Sequence, residues 1–359
     1  MQNFRFTTPA AALRVRRKDL RLVQCRRCGL VFNSRFDPDL IPYNANYENR
    51  QCFSPVFQTH MQSLVDELIA RHGLRGKNLL EVGCGKGDFL KLLCQRAHAQ
   101  GVGFDTSFEG DCEPHQGPVR FCRQYVTARD IAARFDLVIC RHVVEHVPHI
   151  GDFLQNLRSV AQACGNPVTF IETPAFEWIA EHHCFFDIFF EHCNYFTRPG
   201  LAWLCEQAGF EVARQGLTFG GQYQVLELKL RRTPNPAGGA APVIPVRLSD
   251  FARRAEARLS ALEQKLLRAG ARQGWAIFGA GAKGVALVNR LRQVPPRFVI
   301  DSNHAKQACV IPGSRVPVVA PDDPRIRELV LVLIANPNYA EEITFGLRKM
   351  GYAHSILVA

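Results

Sequence analysis

A glycine-rich segment at residues 83–87 constrains the fold of this chain more than any other feature. It reads Gly83-Cys-Gly85-Lys-Gly87, follows the apolar run 78–82 and precedes an amphipathic run at 88–97. So tight a turn from strand to helix needs glycines, which adopt φ angles that other residues avoid and leave bare backbone against a ligand. Asp105 ends the next apolar run, where a carboxylate can accept both hydrogen bonds of a ribose diol. The segment predicts a parallel α/β sheet that binds a nucleoside-containing cofactor.

Glu81, two residues before the first glycine, indicates which cofactor this is. A carboxylate there attracts the cationic amino acid end of S-adenosylmethionine and repels a pyrophosphate. The glycine spacing is GxGxG, whereas the dinucleotide pattern is GxGxxG. We therefore predict S-adenosylmethionine as the cofactor, bound by Glu81, Gly83, Gly85, Gly87 and Asp105.

The order of apolar runs predicts the sheet around this loop. With the run at 78–82, runs at 101–105, 136–140 and 168–172 give four strands that alternate with helical segments, and the spacing back from Asp136 puts the third of five strands just before Arg123. Two β-rich runs, 210–215 and 223–230, lie too close together for a helical crossover and must pair as an antiparallel hairpin. Five parallel strands with an added hairpin resemble the seven-stranded sheet of the class I S-adenosylmethionine-dependent methyltransferases. In that superfamily an acid after the third strand often contacts the adenine. The spacing puts Arg123 or Gln124 there; the Gln124 amide could bond the adenine, and Asp130 is a weaker candidate. Cys140 completes the expected cofactor site.

Composition and breaker residues predict the domain organisation. Four prolines and two glycines between 232 and 247 mark a linker, since neither a helix nor a central strand tolerates them. The expected parts are an N-terminal segment (1–55), a methyltransferase domain (56–231), the linker (232–247) and a smaller Rossmann-like α/β domain (248–359). Of the 359 residues, 47% are hydrophobic and 21% charged, the balance of an ordinary globular protein.

The cysteines indicate the cellular location of the protein, and the net charge indicates the kind of partner it binds. No apolar run reaches the length of a membrane span and no secretory leader is visible, so 13 scattered cysteines indicate reduced thiols and a cytoplasmic location. The 44 Lys and Arg against 33 Asp and Glu give a net charge of +11. Because the arginines are spread along the chain, this charge favours an anionic small molecule over nucleic acid. We expect a monomer or homodimer without membrane partners.

Two histidine clusters are expected at the carboxyl edge of the sheet, where the substrate of an open α/β sheet binds. His146 follows the fourth strand, and Glu191-His192 lies inside an aromatic stretch at 185–196. Aromatic rings exclude water, and a histidine can move a proton near neutral pH. The alternative is that these histidines are packed or surface groups.

A narrower resemblance covers nearly the whole chain. Cys25-Arg-Arg-Cys28, Tyr47 and His60, the methyltransferase core, Glu191-His192-x-x-Tyr195-Phe196 and Gly220-Gly221 occur in the order seen in sugar C-methyltransferases. Those enzymes methylate a carbon of nucleotide-linked 4-keto deoxysugars. The resemblance implies that a base removes the proton beside the ketone and that the site is built by His192, Glu191, His146 and Tyr47. It also implies a zinc ion in the N-terminal part, where Cys25 and Cys28 form one cysteine pair; a degenerate knuckle is the alternative.

A second glycine loop leaves the role of the C-terminal domain open. Gly279-Ala-Gly281-Ala-Lys283-Gly284 follows the apolar run 275–278, and Asp301 lies at ribose distance beyond it. Lys283 suits a phosphate, and the resemblance favours the nucleotide part of a sugar substrate. The alternatives are an NAD-binding domain in a bifunctional enzyme, or no ligand.

Three other functions are consistent with the same residues. O-methylation or N-methylation of another small metabolite differs only in the acceptor pocket. A non-enzymatic, basic interaction protein with a vestigial methyltransferase core is the third, and the intact cofactor motif disfavours it.

Overall fold

The computed structural model describes residues 3–41, 47–48, 50, 52–110, 117–231, 242 and 244–359. Within these ranges the helices are α1 (Pro9–Leu13), α2 (Pro55–His72), α3 (Asp88–Ala97), α4 (Ile150–Ala163), α5 (Phe176–Glu181), α6 (Arg198–Gln207), α7 (Leu248–Arg268), α8 (Ala282–Arg290) and α9 (Ala340–Lys349). The strands are β1 (Leu22–Gln24), β2 (Val31–Asn33), β3 (Asn78–Val82), β4 (Gln100–Phe104), β5 (Val119–Cys122), β6 (Leu137–Arg141), β7 (Val168–Pro174), β8 (Asn194–Tyr195), β9 (Phe210–Thr218), β10 (Tyr223–Leu230), β11 (Trp275–Phe278), β12 (Phe298–Ile300), β13 (Val318–Val319), β14 (Leu331–Ile334) and β15 (Ser355–Val358).

The central sheet has the predicted form. Its seven strands run in the order β5-β4-β3-β6-β7-β10-β9, with β3 to β7 parallel and the β9–β10 hairpin antiparallel. Helices α2 and α3 cover one face, and α4 and α6 cover the other. The prediction of five parallel strands plus a hairpin is confirmed, and the predicted strand ends lie within three residues of the observed ones.

Local sequence explains the helices that flank the glycine loop. Helix α2 begins with the Ser54 hydroxyl accepting from the Phe57 N–H and ends at Gly73, which adopts a left-handed conformation. Helix α3 buries Phe89, Leu90, Leu93, Cys94 and Ala97, so its apolar residues form one stripe against the sheet.

The N-terminal segment is tied to the methyltransferase domain by a small sheet that the sequence did not predict. Strands β1 and β2 form an antiparallel hairpin, and β2 also pairs with β8. Because β8 follows Glu191 and His192 directly, this sheet positions the aromatic stretch of the expected active site.

The C-terminal domain is a five-stranded parallel sheet in the order β13-β12-β11-β14-β15, as expected of a Rossmann-like domain. It shares a hydrophobic cluster with the methyltransferase domain, in which Phe251 of α7 stacks edge-on against Phe176. The Asn338 amide also donates to the Phe219 carbonyl and the Gln222 side chain, both at 2.9 Å. Most of the predicted linker, residues 232–241 and 243, lies outside the described residues. Within the described ranges, no helix is both long and apolar enough to span a lipid bilayer.

Candidate active site

The first glycine loop carries an open backbone position beside Asp105. Gly85 has φ +55°, and a Cβ atom there would meet no described atom within 4 Å. Gly83 and Gly87 instead lie against Val143 and Phe121. The Gly85 N–H donates to Asp105 Oδ2 at 2.8 Å, while Oδ1 accepts from the amide and hydroxyl of Ser107 at 2.7 Å. Since a carboxylate accepts about four hydrogen bonds and three are already taken, Asp105 has one acceptor position left for a ribose hydroxyl.

Glu81 is a buried carboxylate with one oxygen unpaired. It is 2% exposed, and Oε2 has no hydrogen-bond partner among the described residues. Burial raises the pKa of Glu81 to about 8. A buried acid with a vacant acceptor fits a cationic amino group, which would supply both the missing donor and the missing charge.

Two further residues, Cys140 and Gln124, were also expected at the cofactor. Cys140 is 0% exposed and lies in the core between the sheet and α4, so its side chain is not available to a ligand. Burial holds the pKa of its thiol well above the ordinary value. Gln124 is exposed just beyond β5, and its amide donates to Asp130 Oδ1 at 2.9 Å. Its contact with an adenine stays a prediction.

A cavity of about 250 Å³ lies where the three parts of the chain meet. Tyr47 of the N-terminal segment, His146 and His192 of the methyltransferase domain, and the second glycine loop all line it. Val143 packs against Gly83 and His142 lines the cavity, so the cavity adjoins the first glycine loop at the end of β6. The structure thus brings together the residues predicted for substrate and places them next to those predicted for the cofactor.

The two predicted histidines form one cluster with a glutamate that sequence reasoning missed. The rings of His146 and His192 are 4.8 Å apart, and ligand atoms of Glu145, His146 and His192 all lie within 4.8 Å of one another. Burial and the neighbouring charge of His146 hold the pKa of His192 well below its ordinary value. Burial acts to raise the pKa of Glu145, but the His142 and His146 rings outweigh it and hold that pKa low. The cluster therefore combines a neutral imidazole with a buried carboxylate anion.

Glu191 is not among the described residues that line the cavity, and its catalytic role stays a prediction. It is 0% exposed, and its Oε1 accepts from the Asn3 backbone N–H at 3.2 Å. Its backbone carbonyl lies 2.8 Å from His146 Nδ1. The side chains of Glu191 and His192 diverge in the turn before β8, because that turn packs between the N-terminal segment and the cavity. Glu191 contributes to the cluster through its main chain.

A buried network at the ends of β6 and β7 was also missed. Arg141 and Glu172 are paired in register, and Arg141 Nε lies 2.6 Å from Glu172 Oε2. His142, with φ +52°, sits 3.6 Å from Glu172 and 3.3 Å from Glu145. Burial would raise the pKa of Glu172, but Arg141 outweighs it and holds the pKa well below the ordinary value. The sequence did contain a signal for this network, since Arg141 and Glu172 are charged residues at the ends of two apolar runs.

The second glycine loop repeats the design of the first. The Ala280 N–H donates to Asp301 Oδ2 at 2.6 Å, and a Cβ atom on Gly281 would meet no described atom within 4 Å. Gly284 is needed for packing, since a Cβ there would lie 1.8 Å from the Gly279 carbonyl oxygen. Lys283, expected to hold a phosphate, is instead ion-paired with Asp187 of the methyltransferase domain. The buried Lys306 is another cation at this end of the cavity.

Cys25 and Cys28, the cysteine pair of the expected zinc knuckle, lie in the turn between β1 and β2. Among the described residues, no third histidine, cysteine or acidic side chain joins them in a metal-binding group. Zinc at this pair stays a prediction.

Comparison with known proteins shows the family to which the chain belongs. A family model for a methyltransferase domain matches residues 57–215, and one for a C-methyltransferase C-terminal domain matches residues 245–358. The chain belongs to the S-adenosylmethionine-dependent methyltransferases. This methyltransferase is 28% identical over 350 residues to the C-methyltransferase NovU of Streptomyces niveus, a match that covers 90% of this chain and 81% of NovU.

Other relatives share only part of the methyltransferase. The ubiquinone biosynthesis O-methyltransferase of Nitrobacter winogradskyi is 33% identical over 101 residues, which cover 26% of this chain and 37% of that enzyme. The solved structure of magnesium protoporphyrin IX methyltransferase from Synechocystis PCC 6803 covers 49% of this chain and 84% of its own, with 19% identity and a TM-score of 0.38.

The cofactor of the methyltransferase is S-adenosylmethionine, and the residues at the first loop fit it. Glu81 offers a buried, vacant acceptor to the amino group, Gly85 leaves the backbone open, and Asp105 faces the place expected for the ribose. His142 and Val143 follow β6. His142 lines the cavity and Val143 packs against Gly83 of the first loop, so only this short segment lies between the loop and the cavity. A donor at the loop and an acceptor in the cavity would therefore be neighbours.

Proposed function

We propose that the methyltransferase methylates a carbon atom next to a ketone, and that its acceptor is a nucleotide-linked keto-deoxysugar. The observation that carries the proposal is the cavity, which has a buried neutral imidazole at one end and an open glycine loop at the other. A carbon next to a ketone becomes a nucleophile only when a base removes its proton. Oxygen and nitrogen acceptors already carry a lone pair and need no C–H proton removed. The resemblance to sugar C-methyltransferases supports the same acceptor.

His192 is the proposed base. Because the pKa of its imidazole is held well below the ordinary value, it is neutral at pH 7 and can take the proton from the carbon. The negative charge of Glu145 stabilises the imidazolium that results. S-Adenosylmethionine, when bound, supplies an electrophilic methyl group on a sulfonium. The electrons of the broken C–H bond, held in the enolate, form the new C–C bond, and the carbon–sulfur bond breaks.

The second glycine loop is the proposed site of the nucleotide. Gly281 leaves the loop backbone open, Asp301 lies beside it as Asp105 lies beside Gly85, and Lys306 supplies a positive charge. An anionic acceptor also agrees with the net charge of +11. A cytoplasmic location and a monomeric or homodimeric state stay predictions.

The test replaces His192 by Asn, which keeps the polarity of the site without a titratable nitrogen. We expect His192→Asn to retain its thermal midpoint and its affinity for S-adenosylmethionine. Single-turnover methyl transfer to a nucleoside diphosphate 4-keto-deoxysugar should fall by ~10²–10⁴-fold, the usual contribution of general acid–base catalysis. Exchange of the acceptor C–H in heavy water should be lost with it. His149→Asn, an exposed histidine at the start of α4, is the matched control.

The pH profile gives a second readout. Since the pKa of His192 lies below its ordinary 6.5, wild-type kcat/KM should stay level between pH 8 and 6.5 and decline only below that. A folded His192→Asn enzyme within threefold of the wild-type rate would contradict the assignment. Methylation of an oxygen or nitrogen without C–H exchange would favour the alternative acceptors.

A further inference from the structure

The Glu145–His146–His192 cluster has the composition and spacing of a metal site. Among the described residues it is the one group of three or more histidine, cysteine or acidic side chains whose ligand atoms lie within 4.8 Å of one another. Glu145 and His192 are buried, and all three residues line the cavity. Two histidines and a carboxylate are a ligand set that zinc-class ions use when a fourth position stays open to solvent or substrate.

Two of the three ligands, His146 and Glu145, are each held in place by a second group. The Glu191 carbonyl oxygen can only accept, so His146 Nδ1, at 2.8 Å, is the donor, and a neutral His146 ring would ligate a metal through Nε2. The Thr173 hydroxyl donates to Glu145 Oε2 at 2.9 Å. Glu145 Oε1 is buried and receives no hydrogen bond within the described chain, and His142 Nδ1 lies 3.3 Å from it. Carbonyl–histidine and hydroxyl–carboxylate pairs of this kind orient metal ligands.

The distances require little movement. Zinc–nitrogen and zinc–oxygen bonds of ~2.0 Å in a tetrahedral site put ligand atoms about 3.3 Å apart. The present atoms need to approach by at most about 1.5 Å, which side-chain rotation can provide. The fourth position would face the cavity.

We propose that Glu145, His146 and His192 bind a zinc-class divalent ion, and that the ion blocks methyl transfer by occupying the lone pair of the proposed base. The binding part stands on the geometry alone. The inhibitory part rests on the proposed function, because a histidine that ligates a metal cannot take a proton from the acceptor. Metal and acceptor should therefore exclude each other, while S-adenosylmethionine should bind with either.

Titration of the full, chelator-treated chain with Co²⁺ tests the binding part without any substrate. We expect the visible absorption of four-coordinate Co²⁺ without a sulfur-to-metal charge-transfer band. Glu145→Gln, His146→Asn and His192→Asn should each weaken binding by more than about 100-fold, and Thr173→Val by about 10–100-fold. The His149→Asn variant and a Cys25→Ser/Cys28→Ser double variant should bind as the wild type does, which separates this site from the cysteine pair.

Activity measurements test the inhibitory part. Zn²⁺ should inhibit methyl transfer competitively with the acceptor and not with S-adenosylmethionine, and a chelator should restore the wild-type rate. Cobalt binding that survives all three ligand variants, or that shows sulfur charge transfer, would overturn the site. Loss of turnover on chelation, with recovery on adding metal, would instead make the ion a cofactor and exclude His192 as the base. Because cobalt binding is measured without acceptor, failure of the proposed function leaves that result intact.

Discussion

Three buried glutamates in or just after the central strands have different pKa values because their neighbours differ. Glu81 has no paired cation and its pKa rises to about 8, whereas Arg141 keeps the pKa of Glu172 well below the ordinary value. Glu145 lies between these cases, held ionised by the histidine rings beside it. A buried carboxylate without a partner is costly unless it is neutral or a ligand supplies the charge. Glu81 is therefore the residue whose state the cofactor should change.

This difference predicts a proton release when the cofactor binds. At pH 7 the free Glu81 is mostly protonated, and the ammonium of S-adenosylmethionine lowers its pKa by stabilising the anion. Binding should release close to one proton at pH 7, and affinity should rise with pH up to about 8 and then level off. Calorimetric titrations in buffers of different ionisation enthalpy measure the release.

Glu81→Gln should abolish both the release and the pH dependence, while Glu211→Gln, an exposed acid on β9, should change neither. A wild-type enthalpy that is the same in every buffer would show that Glu81 does not meet the amino group.

At the scale of elements, the two glycine loops share the same local structure. Each follows the first strand of a parallel sheet, and in each a backbone N–H of the loop donates to an aspartate after the next strand, Gly85 to Asp105 and Ala280 to Asp301. Each also leaves one glycine, Gly85 or Gly281, facing open space. Gly83, Gly87 and Gly284 are needed for packing, and Gly279 for its φ of +111°. In each loop, some glycines are therefore required for folding and one is open to a ligand.

These two roles predict that substitutions at Gly284 and Gly281 affect different properties, the first stability and the second nucleotide binding. Gly284→Ala brings a Cβ to 1.8 Å from the Gly279 oxygen and should destabilise the protein by about 3 kcal/mol, because helix α8 must move away from the loop. Gly281→Ala meets open space and should leave the free energy of unfolding unchanged, while weakening binding of a nucleoside diphosphate. Urea unfolding and nucleotide titration of both variants check this. Equal stability of the two proteins would count against the packing role of Gly284, and unchanged nucleotide affinity in Gly281→Ala against the ligand role.

On the scale of the whole molecule, the cavity exists only because three parts of the chain close around it. The N-terminal segment contributes Tyr47, the methyltransferase domain the histidines, and the C-terminal domain the second loop. The ion pair of Lys283 with Asp187 joins two of these parts in a largely buried place, with side chains 13% and 8% exposed. Lys283 thus has a structural partner in the position where a phosphate was predicted.

We expect Lys283→Met to destabilise the protein by about 3–5 kcal/mol, because Asp187 would remain buried without its counter-ion. Adding Asp187→Asn should restore much of the loss, since the unpaired charge is then removed. Thermal and urea unfolding of the single and double variants measure both effects. Unchanged stability with a raised KM for the acceptor would show that Lys283 serves the substrate instead.

Features that depend on residues close in the chain were predictable from the sequence. The strand–glycine–helix turn, the hairpin of β9 and β10 and the second loop were all predicted and found, because φ preferences and hydrophobic periodicity act within a few residues. Asp105 and Asp301 could be placed as well, since parallel strands deliver their ends to one edge of a sheet.

The arrangement of side chains across the cavity was decided only by tertiary structure. Which of two adjacent residues faces the site, His192 or Glu191, depends on how their turn packs against Asn3 and β2. That Glu145 supports the histidines, and that Lys283 binds Asp187, follows from contacts between residues far apart in the chain. Period and spacing carry no information about such contacts, because the direction of a side chain in a turn is set by the neighbours that folding brings to it.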